Sequence, residues 1–148
     1  MQVTTIRTVA AMIAACFTFA TTTVALAQDN ELSGAISIEL NTVKSTDAGC
    51  TLTFLVMNGH ASEIAKAVYE TVLFDSEGQV DRLTLFDFGT LPVDRPRVRQ
   101  FSVPGIACDG LGQVLINGAH TCDAPDLADT ACETGLILNT RTGVEVIG

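Results

Sequence analysis

An all-β domain is what this sequence predicts, and three observations carry the prediction. Eight short runs rich in β-branched and aromatic residues recur at intervals of about ten to fifteen residues. Several alternate apolar and polar residues with a period of two, as a half-buried strand requires. Gly, Pro or Asn punctuates the runs, in the manner of a sandwich or small barrel.

Taken in order, Ala35–Leu40 alternates through Ile36, Ser37, Ile38 and Glu39. Cys50–Met57 places Cys50, Leu52, Phe54 and Val56 on one face and Thr51, Thr53 and Leu55 on the other. Ser62–Val72 is double-valued: Ile64, Ala65, Val68 and Val72 have helical spacing, with Ser62 as a cap. The β-branched and aromatic content of Val68–Phe74, with a hairpin-type loop after it, assigns Ala67–Phe74 to a strand. Asp75-Ser76-Glu77-Gly78 turns into Val80–Phe88, which Gly89 and Pro92 end. Val98–Val103 alternates as far as Pro104-Gly105, and Val114–Ile116 lies between Gly112 and Asn117-Gly118. Leu136–Leu138, a turn at Thr142-Gly143 and Val144–Ile147 complete the set. Asp123–Cys132 reads as a loop or a single helical turn. The expected core comprises Leu52, Phe54, Val56, Val72, Phe74, Leu83, Leu85, Phe101, Val103, Val114 and Ile116.

The first 27 residues read as a cleavable secretory leader. Arg7 supplies the positive start, Val9 onward is apolar or small, and Ala25-Leu26-Ala27 is a signal-peptidase pattern. Residues 28–148 then form one domain, exported to the periplasm or secreted, with no transmembrane segment once the leader is removed. Ile13-Ala14-Ala15-Cys16 offers an alternative cut that would leave the chain lipid-anchored through Cys16, although Phe17–Ala27 is still apolar where a polar tether is usual. Removal of Cys16 leaves Cys50, Cys108, Cys122 and Cys132, an even number that reads as two disulfides in an oxidising compartment. Four cysteines allow three pairings. Beyond the leader lie all seventeen carboxylates and seven of the eight basic residues, a net charge of −10. Such a surface repels nucleic acid and anionic lipid. Phosphate-binding glycine loops, zinc-protease helices and nucleophile elbows do not occur in the sequence.

A first strand, a second ending at Asn58-Gly59, Ile64, and then Val68-Tyr69-Glu70-Thr71-Val72-Leu73-Phe74-Asp75-x-x-Gly78-x-Val80 form a pattern. It resembles the immunoglobulin-like sandwiches of the FxLYD and LEA-type domains. Phe88-Gly89-x-Leu91-Pro92, with a strand reaching Phe101, is similar to the close of those domains. The chain also resembles small exported proteins of Gram-negative bacteria. The resemblance spans roughly residues 35–118 and departs from the pattern at the cysteines and the acidic segment after Asn117. It implies an immunoglobulin-like antiparallel β-sandwich of seven or eight strands and an accessory or binding role, and it transfers no catalytic residue. The strand order it implies puts Cys50 and Cys108 at one end and Cys122 at the other, giving the pairs Cys50–Cys108 and Cys122–Cys132. The absence of Trp separates the chain from antibody-type domains.

Three constellations are candidates for function. His60 and His120, the only histidines, each follow an Asn-Gly step and are expected at one end of the sandwich; with Met57 or Asp123 they would suit Cu or Zn. The plainer reading is an exposed histidine after a turn. Arg95, Arg97 and Arg99, with Arg82, hold four of the seven basic charges. Such a row matches carboxylate or phosphate on a partner, and equally guards a sheet edge marked by Pro96. Asp123, Asp126, Asp129 and Glu133 lie in a loop closed by Cys122 and Cys132, without the ligand order of a calcium loop. No nucleophile, base and acid fall into a recognisable arrangement, and nothing singles out a carboxylate pair such as Asp87 and Asp94. The expected function is a non-enzymatic module that binds another cell-envelope protein, with a Cu or Zn carrier using His60 and His120 as the alternative.

Overall fold

The computed structural model describes residues 32–148; the predicted leader, 1–27, with Cys16, lies outside the described residues. Eight strands follow one another: β1 (Ile36–Thr46), β2 (Gly49–Asn58), β3 (Ile64–Asp75), β4 (Val80–Leu91), β5 (Arg97–Pro104), β6 (Leu111–Asp123), β7 (Ile137–Thr140) and β8 (Glu145–Ile147). A 3-10 turn at Cys108–Gly110 precedes β6. They form a sandwich of two four-stranded sheets, ordered β5-β2-β1-β7 and β4-β3-β6-β8. The ambiguous segment after Ser62 is strand, because β3 is the central partner of both β4 and β6. A strand buried on both edges gains two ladders that an isolated helix there would forgo. The β3–β4 turn follows its sequence: Asp75 Oδ1 accepts the Glu77 and Gln79 amides, and Gly78 takes φ 81°.

Alternation is strictest in β2, where Cys50, Leu52, Phe54, Val56 and Asn58 point inward. Phe54 centres the core, with ring centroids 5.7–5.9 Å from Phe86, Phe88 and Phe101. Strand β4 corrects the expected core. Leu83 and Leu85 face outward, 58% and 47% exposed, while Phe86 and Phe88 are buried. The run Val80–Phe88 is apolar on both parities, so a period of two leaves its face undecided. Two phenyl rings bury more area than two leucines and pack tilted, edge-on or stacked against Phe54 and Phe101. Phe74 lies on the outer side of its sheet, opposite Val80; Val72, opposite Leu83, is on the same side but buried as expected, only 8% exposed.

The two open sides of the sandwich are closed differently. On one side the edge strands β4 and β5 approach, and Phe86 stacks on Phe101 at 4.1 Å. Arg82 of β4 donates to the Pro104 carbonyl of β5 at 2.9 Å, and Arg99 of β5 donates to the Phe88 carbonyl of β4 at 2.6 Å. On the other side the β7–β8 hairpin straddles the sheets, β7 joining β1 and β8 joining β6, both in parallel. These two parallel pairings depart from the fully antiparallel expectation. The hairpin splits across the gap, so each arm meets a strand running its own way. Arg141 anchors the turn between the arms, its Nε 2.8 Å from Glu39 and its amide bonded to the Leu40 carbonyl.

At the upper end, where β2 and β6 finish, Asn58 is fully buried. Its Nδ2 donates to the Ser62 and Leu91 carbonyls and its Oδ1 accepts the His60 amide, each at 2.9 Å. Its own carbonyl accepts the Asp94 amide. Gly59 beside it admits no side chain, because a Cβ there would collide with the Leu32 backbone. The disulfides are Cys50–Cys108 at the lower end and Cys122–Cys132 at the upper end, spanning 58 and 10 residues.

Asn58→Ala leaves two carbonyls and an amide without this partner, one of them, the Leu91 carbonyl, in the interior, and is expected to cost about 3 kcal/mol in urea unfolding. Loop-closure entropy assigns about 4 kcal/mol to Cys50–Cys108 and about 3 kcal/mol to Cys122–Cys132. The double serine variant of the first pair should therefore unfold at lower urea than that of the second; the reverse order would show that native contacts of the short loop outweigh chain entropy.

Candidate functional site

His60 emerges from the turn after β2, and its Nε2–H donates to the Ala131 carbonyl at 2.8 Å. One residue on, the Tyr69 hydroxyl donates to the Cys132 carbonyl at 2.7 Å from a fully buried position. Burial, then the Glu133 charge, pushes the Tyr69 phenol far above its ordinary range. These two donors pin the 123–136 loop over the upper end, where Ala131 and Cys132 are buried. The four carboxylates of the loop, Asp123, Asp126, Asp129 and Glu133, are exposed, and Glu133 accepts the Ala119 amide at 3.3 Å.

His120 lies within a strand, three residues before β6 finishes at the upper end. Asn117-Gly118 is no turn: β6 continues to Asp123, and its register with β3 slips once at Asn117 and again at His120. Both residues are the extra members of β-bulges, and His120 is exposed. Among the described residues, no group of three or more His, Cys, Asp and Glu side chains is placed to hold a metal ion. The His60 imidazole is engaged in holding the loop.

The arginine row divides by position. Arg95 lies in the exposed β4–β5 connection, where Asp94 takes a left-handed φ of 50°. Arg97 and Arg99 share the face of β5 that carries Phe101 and Val103, so both point toward the gap between sheets rather than away from it. Arg99 spends its donors on the carbonyls of Phe88, Thr90 and Val98. β5 is an edge strand, as Pro96 implies.

A different surface is assembled by register alone. Across the outer face of the β4-β3-β6-β8 sheet, Leu83 pairs with Val72, Val72 with Leu115, and Leu115 with Ile147. This apolar row crosses all four strands. Leu85 on one flank and Val80 with Phe74 on the other widen it, and Val80 is 63% exposed. Two carboxylates bracket the row, each held by an amide of β6. Asn117 Nδ2 donates to Glu70 at 2.5 Å, and Gln113 Nε2 donates to Glu145 at 2.6 Å. Among the described residues, no Lys or Arg pairs with either, whereas Asp87 faces Lys66 and Asp81 faces Arg82. Sequence reasoning missed this face because Leu83 and Leu85 were expected inside; the surplus of apolar residues on both parities of β4 was the available signal.

Tyr69→Phe is expected to strip the Cys132 carbonyl of its donor at a cost of about 1–2 kcal/mol. Amide exchange of residues 131–133 should accelerate before the rest of the domain; uniform acceleration would mean that the loop opens only with global unfolding. Because the folded phenol is held neutral, its contribution is complete below the unfolded value near pH 10 and declines as pH rises beyond it. Comparison with known protein families, curated proteins and solved structures finds no match.

Proposed function

We propose that this protein is a non-enzymatic binding module of the cell envelope, periplasmic or secreted, that docks a different envelope protein on the outer face of its β4-β3-β6-β8 sheet. The observation that carries this reading is the apolar row Leu83, Val72, Leu115 and Ile147, flanked by Val80 and Leu85. A sheet face open to water normally carries polar residues at these alternate positions, and contiguous apolar surface rimmed by polar groups marks a docking site. Two disulfides suit an oxidising location, and no helix among the described residues is long and apolar enough to cross a membrane. The bracketing carboxylates and the strongly acidic chain oppose a second copy on this face, since like charges would meet. The occupant is therefore a different protein.

Leu83→Asp combined with Val80→Asp tests the reading. Both side chains are exposed, so the change in unfolding free energy should stay within about 0.5 kcal/mol per site. Chemical cross-linking in intact cells should yield a heterologous adduct with the unaltered chain and lose it with the double variant. An adduct retained at full yield would exclude this face.

A further inference from the structure

Resting on the docking face above, we infer that the partner carries two basic side chains, Lys or Arg, on either side of an apolar stretch, received by Glu70 and Glu145. Glu70 sits beside Leu85 on one flank of the apolar row, and Glu145 sits beside Gln113 on the other, opposite Phe74 along the same rank. Four residues of strand rise and two interstrand spacings separate the carboxylates by about 16 Å. The apolar row lies between them.

Each carboxylate is held the same way. An amide of β6 binds one oxygen, Asn117 on Glu70 and Gln113 on Glu145, which restrains the side chain and leaves the second oxygen free to accept. Two other acids on this sheet are already neutralised in place, Asp87 by Lys66 and Asp81 by Arg82. Glu70 and Glu145 thus keep their charge for an external cation. An oriented carboxylate loses less side-chain freedom on pairing than a free one, and at the rim of an apolar contact its pairing governs specificity and encounter rate. Apolar residues between two cations are the complementary pattern. An acidic partner is repelled, and so is a second copy of this chain.

The test uses the full chain in the cells that produce it, with a photoreactive amino acid in place of Leu85, adjacent to Glu70. The same chain is then made with Glu70→Gln and Glu145→Gln, which keep the amide hydrogen bonds and remove only the charges. The expected result is a heterologous photo-adduct whose yield falls about fivefold in the double variant while the thermal midpoint is unchanged. The cross-linked partner peptide should contain apolar residues with Lys or Arg on both sides. An adduct of undiminished yield, or one on a peptide without flanking basic residues, overturns this inference and leaves the docking face standing. No adduct from position 85, or an adduct with a second copy of the chain, overturns both.

Discussion

The buried amide of Asn58 is the constraint on which the upper end of this sandwich depends. Its three side-chain hydrogen bonds reach the β2–β3 connection and the end of β4, and its backbone carbonyl receives the β4–β5 connection. Gly59, next in sequence, takes the bond from Gly34 and so fixes where the chain enters β1. A buried amide is costly unless fully satisfied, and here both ends of the group are used. The same turn aims His60 at the Ala131 carbonyl. Asn58 therefore determines not only how the sheets meet but how the disulfide-closed loop lies over them.

Closure of the open sides explains the fate of several polar residues. A two-sheet sandwich exposes the core wherever its edge strands stand apart. One gap receives the Phe86–Phe101 stack between two arginines that donate across it to backbone carbonyls. These contacts also occupy edge groups that would otherwise recruit a foreign strand. Arg99 consequently has a structural task, and charge reversal at that position perturbs the β4 edge as well as any partner. The other gap receives the β7–β8 hairpin, which introduces the only parallel pairings among the named strands.

The choice of face made by β4 links the core to the docking surface. Once Phe86 and Phe88 turn inward, Leu83 and Leu85 must turn outward, since neighbouring strand residues alternate. Their outward position would be a liability on an isolated strand. It becomes a continuous feature because Val72, Leu115 and Ile147 occupy the same rank on the three adjoining strands. Two carboxylates and their amide partners then give that feature a charge pattern and a direction.

The all-β class, the eight strands, two disulfides and the turns other than Asn117-Gly118 are legible in the sequence, because these depend on alternation, turn residues and cysteine number over short spans. The pairing Cys50–Cys108 and Cys122–Cys132, expected from an assumed strand order, is the pairing present, although β7 and β8 join their sheets in parallel. The face of β4, the two bulges that make Asn117-Gly118 and His120 part of β6, and the direction of Arg97 and Arg99 are set instead by packing between strands distant in the chain. Each of these turns on competition between local preferences: leucine against phenylalanine for the same core, Asn-Gly as a turn against a strand already paired with β3. Local pattern cannot rank such alternatives, because the energy that separates them comes from residues distant in the chain. The apolar row is the extreme case. Its four members lie on four strands, and no window of sequence contains them together.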